Sequence, residues 1–121
     1  MMKCDEGYFC EVCGKDVSAI IDSDLYLRFV IGELDPEQLH LTPERHLRCN
    51  PVLAQFIEDQ RFEPLIVDGP LDRRTLDAAF ASQRTELVSR GYRRLHEILQ
   101  QETDLDMRDY PLADVRANYL H

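Results

Sequence analysis

Two short motifs, far apart in the chain, constrain its fold most: Cys10-Glu-Val-Cys13 near the start, and His46-Leu-Arg-Cys49 further on. Each motif holds two potential metal ligands three positions apart, and only a fold can bring the two motifs together. Thiolate and imidazole are the ligands that tetrahedral zinc prefers. The sequence therefore predicts one structural zinc ion held by Cys10, Cys13, His46 and Cys49.

Other interpretations of these residues stay open at this point. The cysteines could be unrelated buried thiols, because cysteine is among the most buried residue types. Cys4 or His40 could replace His46 as the fourth ligand. Gly14, directly after Cys13, favours the metal, since glycine tolerates the tight turn that two ligands so close together need.

A β-hairpin is predicted between the two motifs. Residues 25–31 are rich in β-branched and aromatic side chains, which is typical of a strand. A turn at 35–38 and a short return strand at 39–42 complete the hairpin. Thr42-Pro43 and Asn50-Pro51 are both typical helix starts, and the second predicts a helix from Pro51 to about Gln60.

This order of a cysteine turn, a hairpin and a second ligand pair at a helix start resembles a treble-clef zinc finger. The resemblance covers about residues 8–60 and is carried by Cys10, Cys13, Gly14, His46 and Cys49. It implies a structural tetrahedral zinc site and no particular activity. The chain departs from the family in its long connection between the pairs, and in a histidine where all-cysteine sets are common. Residues 61–121 show no such resemblance.

The second half of the chain is predicted to be helical. After a turn at 68–70, apolar residues recur at helical spacing and predict a long helix over about 73–101. Gly91 lies within that apolar face and indicates a close contact. A short last helix is predicted over Leu112–Tyr119. The expected fold is α+β, with a zinc-binding module at 1–60 and a helical extension packed on it at 61–121.

Composition narrows the class of function. The chain has 121 residues and a formal net charge of −9, and this charge disfavours binding to phosphate backbones. No run of 18 apolar residues predicts a membrane span, and the first residues do not resemble a signal peptide. We therefore expect a protein of the reducing cytoplasm, where cysteines bind metals more often than they form disulfides.

These observations favour a non-enzymatic protein in which zinc stabilises a protein-interaction module. The partner would be another protein or a second copy of the chain, because the apolar face of the long helix needs cover. Two alternatives remain. One is a nucleic-acid-binding regulator that uses the helix face from Arg84 to Arg94, with Arg90 and Arg93 between them. The other is a zinc hydrolase in which water replaces one ligand, and Glu11 or Glu44 acts as base.

Overall fold

The architecture is built from helices. The structure, a computed structural model, describes residues 9–17, 19–101 and 109–117. Those residues contain no β-strand and four α-helices, namely α1 (Asp24–Val30), α2 (Pro51–Ala54), α3 (Ala78–Gln100) and α4 (Ala113–Ala117). Short 3₁₀ helices lie at Ile20–Asp22, Gln38–His40, Leu47–Cys49 and Arg73–Thr75. The predicted α+β class is therefore wrong, and the described part of the chain is mostly helical.

Helix α1 occupies the segment that was predicted as the first strand of the hairpin, residues 25–31. Nearly all of its side chains are buried, so the alternation of inward and outward positions that a half-buried strand needs is absent. Periodicity cannot distinguish a short buried helix from a short buried strand. The start of the helix is nevertheless marked in the sequence, because Ser23 Oγ accepts a hydrogen bond from the Tyr26 amide at 3.0 Å.

The predicted return strand at 39–42 is also absent. Gln38–His40 forms a 3₁₀ helix instead. Asp35 and Gln38 stabilise its entrance, since the side chain of each accepts a hydrogen bond from the backbone amide of the other. The β-type pairing among the described residues consists of isolated bridges, at Phe9–Asp16, Ser23–His46 and Asp59–Phe62. The predicted hairpin is thus wrong, and so is the treble-clef arrangement that depended on it.

Helix α2 begins at Pro51 as predicted, but it ends at Ala54 rather than near Gln60. Gln55 accounts for the early end. Its Nε2 donates to the backbone oxygens of Val52 at 2.9 Å and Leu71 at 2.8 Å, and its Oε1 accepts from the Arg73 amide at 2.8 Å. This buried amide therefore joins α2 to the segment that precedes α3. The other predicted helix start, at Thr42-Pro43, leads into irregular backbone.

Helix α3 is the long helix that the sequence predicted, although it begins at Ala78 rather than near Arg73. Asp77 caps it, because its Oδ2 accepts from the Phe80 amide at 3.1 Å. The helix packs against α1 and against Ile20–Asp22. Its buried positions are Val88, Ser89, Gly91, Tyr92, Leu95 and Ile98. Much of the predicted apolar face is therefore covered within the chain, while Phe80 and Leu99 remain exposed.

The segment that leads into the short helix α4 packs against the C-terminal end of α1. The Leu112 amide donates to Val30 O at 3.0 Å, and Tyr110 is buried with its ring centre 6.0 Å from that of Tyr26. The helix was predicted over Leu112–Tyr119, and the structure places it at Ala113–Ala117; Tyr119 lies outside the described residues. Among the residues described, no helix is both long and apolar enough to cross a membrane.

Gly91 lies where α3 approaches α1 most closely. A Cβ atom at this position would lie 2.4 Å from Ile31 Cγ2 and 2.9 Å from Leu27 Cδ1. Both neighbouring side chains are buried, and Ile31 Cγ2 is attached directly to its own Cβ, so neither can withdraw easily. The close contact that the sequence indicated is present: the backbone of α3 at Gly91 packs against the side chains of Leu27 and Ile31.

We predict that Gly91→Ala destabilises the protein. Alanine in an unhindered helix would gain about 1 kcal/mol over glycine. Here overpacking should outweigh that gain and lower the free energy of unfolding by about 1–2 kcal/mol. Urea unfolding followed by circular dichroism measures the change. Ser82→Ala, at an exposed position of the same helix, is the matched control and should be neutral or slightly stabilising. A more stable Gly91→Ala variant would contradict the packing described.

Candidate metal centre

Four side chains that are distant in sequence converge at one point. The Sγ atoms of Cys10, Cys13 and Cys49 and a ring nitrogen of His46 all lie within 4.8 Å of one another. These are the four ligands that the sequence predicted. The three cysteines are free thiols, with Cys10 buried, Cys49 partly buried and Cys13 exposed. The cluster therefore has one side in the core and one side at the surface.

A tight turn positions the first pair. The Gly14 amide donates to Cys10 O at 2.9 Å, and the Cys10 amide donates to Lys15 O at 2.9 Å. Gly14 has a φ of 78°, in the left-handed region that side chains rarely adopt. The turn directs both sulfurs to the same side, which is why C-x-x-C followed by glycine suits a metal.

The second pair lies on the 3₁₀ turn Leu47–Cys49 rather than on an α-helix. The Cys49 amide donates to His46 O at 3.0 Å. Because a 3₁₀ helix has three residues per turn, positions 46 and 49 point in the same direction. A backbone bond from the Glu11 amide to Glu44 O, at 2.9 Å, holds the two ligand pairs side by side.

Backbone amides favour the thiolate form of Cys10. The amides of Val12 and His46 lie 3.4 Å and 3.5 Å from its sulfur. Burial by itself raises the pKa of this thiol, but donation from these amides and from that of Cys13 outweighs burial and lowers the pKa to about 6. The deprotonated sulfur is the form that binds metal.

The orientation of His46 identifies its metal-binding atom. Nε2 lies 2.8 Å from Asp16 O, and because a carbonyl oxygen can only accept, Nε2 carries the proton. Nδ1 then presents its lone pair to the sulfurs, 3.4 Å from Cys13 Sγ and 3.9 Å from Cys49 Sγ. Metal-binding histidines usually donate their other ring proton to an oxygen in this way. Sequence reasoning had assigned no role to Asp16, which acts through its main chain.

The distances fit a tetrahedral zinc ion. At the tetrahedral angle, zinc bonds of about 2.3 Å to sulfur and about 2.0 Å to nitrogen place a sulfur and a nitrogen ligand about 3.5 Å apart. The two sulfur-to-Nδ1 distances, 3.4 Å and 3.9 Å, lie on either side of that value. An ion of this size therefore needs only small movements of the four side chains.

The protonation of the cluster is linked to metal binding. Burial and then the neighbouring Cys10 and Cys13 sulfurs raise the pKa of the Cys49 thiol to about 11. For His46, burial lowers the pKa, but the Asp16 carbonyl and the cysteine sulfurs outweigh burial and raise it. Both shifts favour the protonated forms, and a divalent ion bound to the same atoms would compete with those protons.

A buried polar cluster contacts the segment that carries the second ligand pair, His46 and Cys49. Asp24, at the start of α1, accepts from Arg45 Nη2 at 3.1 Å and from Asn50 Nδ2 at 2.8 Å. These partners flank His46 and Cys49 directly in the sequence. The carboxylate of Asp24 therefore fixes both ends of the segment that carries the second ligand pair.

Glu44 completes this cluster. Its carboxylate accepts from Ser23 Oγ at 2.8 Å and from the amides of Leu25 at 3.2 Å and Arg45 at 2.9 Å. Burial raises the pKa of Glu44, and these hydrogen bonds offset only part of that effect. The residue proposed as a base in the hydrolase hypothesis thus caps α1. Glu11, the other proposed base, lies 3.6 Å from Arg45. The sequence analysis did not predict this cluster. The one signal for it in the sequence is Ser23-Asp24, a typical helix start directly before the apolar run of α1.

Cys4 lies outside the described residues, as does the side chain of His40, so the choice of His46 over these two competing ligands stays a prediction. Two arginines that neighbour the ligands in sequence contact other groups: Arg45 pairs with Asp24, and the Arg48 guanidinium lies 4.3 Å from the centre of the Phe62 ring.

The arginines proposed as a nucleic-acid surface are mostly paired within the chain. Arg84 contacts Glu33, Arg90 lies 3.0 Å from Asp114, and Arg94 lies 3.0 Å from Glu97. Arg94 Nε also donates to Tyr110 O at 2.8 Å, which links α3 to the α4 segment. These pairs reduce the positive charge that α3 presents to a phosphate backbone.

Comparisons with known proteins add no further identification. No family model, no curated protein and no solved structure matches this chain. The treble-clef resemblance therefore extends only to the ligand pattern, and the function must be argued from the site itself.

We predict that Asp24→Asn destabilises the protein. Asparagine cannot neutralise Arg28 and Arg45, which lie 3.0 Å and 3.1 Å from this carboxylate. Removing one partner of a buried ion pair costs about 3–5 kcal/mol. Because the two arginine side chains are 18% and 24% exposed, we expect a smaller loss, of about 2 kcal/mol.

Thermal and urea unfolding of zinc-loaded protein measure this loss. Asp22→Asn, at an exposed aspartate two residues away, is the matched control and should change stability by less than about 0.5 kcal/mol. Equal effects of the two substitutions would show that the buried ion pairs of Asp24 do not stabilise the fold.

Proposed function

We propose that this chain is a small, non-enzymatic zinc-binding protein in which one structural zinc ion stabilises a protein-interaction module. The observation that carries the proposal is the convergence of Cys10, Cys13, His46 and Cys49 within 4.8 Å. Four protein ligands fill a tetrahedral shell and leave no position for water or substrate, which is typical of structural zinc. His46 Nδ1 and the three sulfurs would hold the ion.

The position of the site supports a structural role. The two ligand pairs come from separate segments whose backbone contacts are few, namely the bond between Glu11 and Glu44 and the contact of the His46 amide with Cys10 sulfur. A zinc ion would cross-link these segments directly. Metal-binding free energy would then be folding free energy for this part of the chain.

A protein is the partner we propose, rather than a nucleic acid. The net charge of −9 repels phosphate, and the arginines of α3 are largely paired. Several large apolar side chains near the start of α3 are exposed, including Leu71 and Phe80. We also propose a reducing compartment, the cytoplasm, because the site needs free thiols.

We predict one zinc ion per chain in protein purified without chelators. Elemental analysis by mass spectrometry measures the ratio of zinc to protein. Removal of zinc by a strong chelator should lower the melting temperature, and stoichiometric zinc should restore it. Magnesium added in place of zinc is the control and should not restore it, because hard cations bind thiolates poorly. A zinc-free protein with an unchanged melting temperature would disprove the proposal.

We also predict a ranking among ligand variants. Cys13→Ser, Cys49→Ser and His46→Ala should each weaken zinc binding by at least about tenfold, since each removes one of four bonds. His46→Cys should retain zinc, because a thiolate can occupy the fourth position. Competition with a chromogenic zinc chelator measures the affinities. Cys4→Ser is the control and should behave like the parent protein; loss of zinc in Cys4→Ser, with His46→Ala unaffected, would identify Cys4 as the fourth ligand.

A further inference from the structure

An open groove lies beside the Asp24 cluster, since Arg28, Arg45 and Asn50, which contact Asp24, line it. It encloses about 460 Å³ and is bounded by α1, α2 and the beginning of α3. Its floor is apolar and is formed by Val52, Leu53, Phe56, Leu71, Leu76 and Phe80. We call these six residues and the space above them the α2–α3 groove.

Three of the six apolar side chains that form the floor are exposed to solvent. Phe80 is 52% exposed, Leu71 is 56% exposed and Val52 is 40% exposed. Single exposed apolar side chains are common on protein surfaces, but several that line one concavity indicate an interaction site. Phe80 also has the size and rigidity of residues that dominate binding energy at interfaces.

The rim of the groove carries positive charge. Arg28, Arg45 and Arg84 line it, with Glu33 as the only carboxylate among the lining residues. Arg28 and Arg45 share a single buried carboxylate, that of Asp24. The further pair of Arg45 with Glu11 is long, at 3.6 Å, and Glu11 is 45% exposed, so this pair neutralises little. Arg84 is paired with Glu33, so the surplus at the groove is the one positive charge that Arg28 and Arg45 leave unmatched, on a chain whose net charge is −9.

The shape of the groove favours a peptide over a small molecule. Pockets for small ligands bury most of the ligand surface. Here Val52, Leu71 and Phe80 face solvent, so a small ligand would also stay partly in water. A peptide can extend past both ends of the groove and still insert one or two apolar side chains into it.

We propose that the α2–α3 groove binds an acidic, hydrophobic peptide segment of a partner protein. Apolar side chains of the segment contact Val52, Leu71 and Phe80, and its carboxylates lie against the unmatched positive charge that Arg28 and Arg45 share. Arg45 precedes the ligand His46 in sequence, and Asn50, which follows the ligand Cys49, also lines the groove. The inference thus rests on the proposed function, since zinc holds the segment that carries both groove residues.

Selection from a random peptide library displayed on phage tests the proposal without a known partner. The zinc-loaded full chain is the bait, and its zinc content is measured first. We expect the enriched peptides to combine glutamate or aspartate with leucine, phenylalanine or tryptophan. An enriched peptide is then synthesised with a fluorescent label, and its affinity is measured by fluorescence anisotropy.

Two pairs of variants locate the binding site. Phe80→Ser should weaken binding by at least about tenfold, whereas Leu99→Ser, which is also 52% exposed on α3 but lies outside the groove, should not. Arg84→Gln should weaken binding and reduce its dependence on salt, whereas Arg93→Gln, at an exposed position further along α3, should do neither. Circular dichroism confirms that the variants are folded.

The remaining outcomes would overturn the proposal. Enriched peptides without acidic residues, or equal effects of Phe80→Ser and Leu99→Ser, would show that the groove is not the site. Displacement of the peptide by sodium decanoate at lower concentration than the peptide itself would assign the groove to a small amphipathic carboxylate. Dimerisation of the protein alone, abolished by Phe80→Ser, would assign it to a second copy. If the bait holds one zinc per chain and any of these occurs, the zinc assignment stands and only the groove inference fails.

Discussion

The buried carboxylate of Asp24 is the interaction on which the arrangement of this protein depends. It lies at the first residue of α1, is fully buried, and binds Arg28 on its own helix together with Arg45 and Asn50 on the metal-binding segment. One charge therefore joins the central helix to the segment that presents His46 and Cys49. The same segment carries Arg45 and Asn50 of the groove, so a change at Asp24 should affect both the ligand cluster and the groove.

Helix α1 connects the Asp24 contact to helix α3 and to the segment that leads into α4. One side of it meets Gly91 of α3, where the missing Cβ allows close approach, and its last residues accept the backbone of the α4 segment through the Leu112 amide. A seven-residue helix has little stability by itself, because nucleation is costly. Burial on all sides and capping by Ser23 and Glu44 supply the stability that its length cannot.

The ligand cluster and the groove both gather groups that a partner of opposite charge would bind. At the ligand cluster, burial raises the pKa of Cys10, but backbone amides outweigh burial and lower it to about 6, whereas burial and the neighbouring sulfurs raise the pKa of Cys49 to about 11. The zinc ion that we propose would bind both sulfurs as thiolates. At the groove, two arginines share one carboxylate, and the acidic partner that we propose would supply the missing charge.

The sequence by itself predicted the four side chains that converge, and it determined the long helix, the helix start at Pro51 and the close contact at Gly91. Each of these follows from local chemistry or spacing: ligand type, helical period, a proline at the first turn, an isolated glycine in an apolar face. Only the tertiary structure decided that residues 25–31 form a helix. A short run buried on every side has no periodicity to read, so its packing partners select its conformation. The Asp24 cluster and the groove were decided in the same way, since each joins segments that are distant in sequence, as Asp24 joins Arg45 and Asn50, and these residues gain their roles only when the fold brings them together.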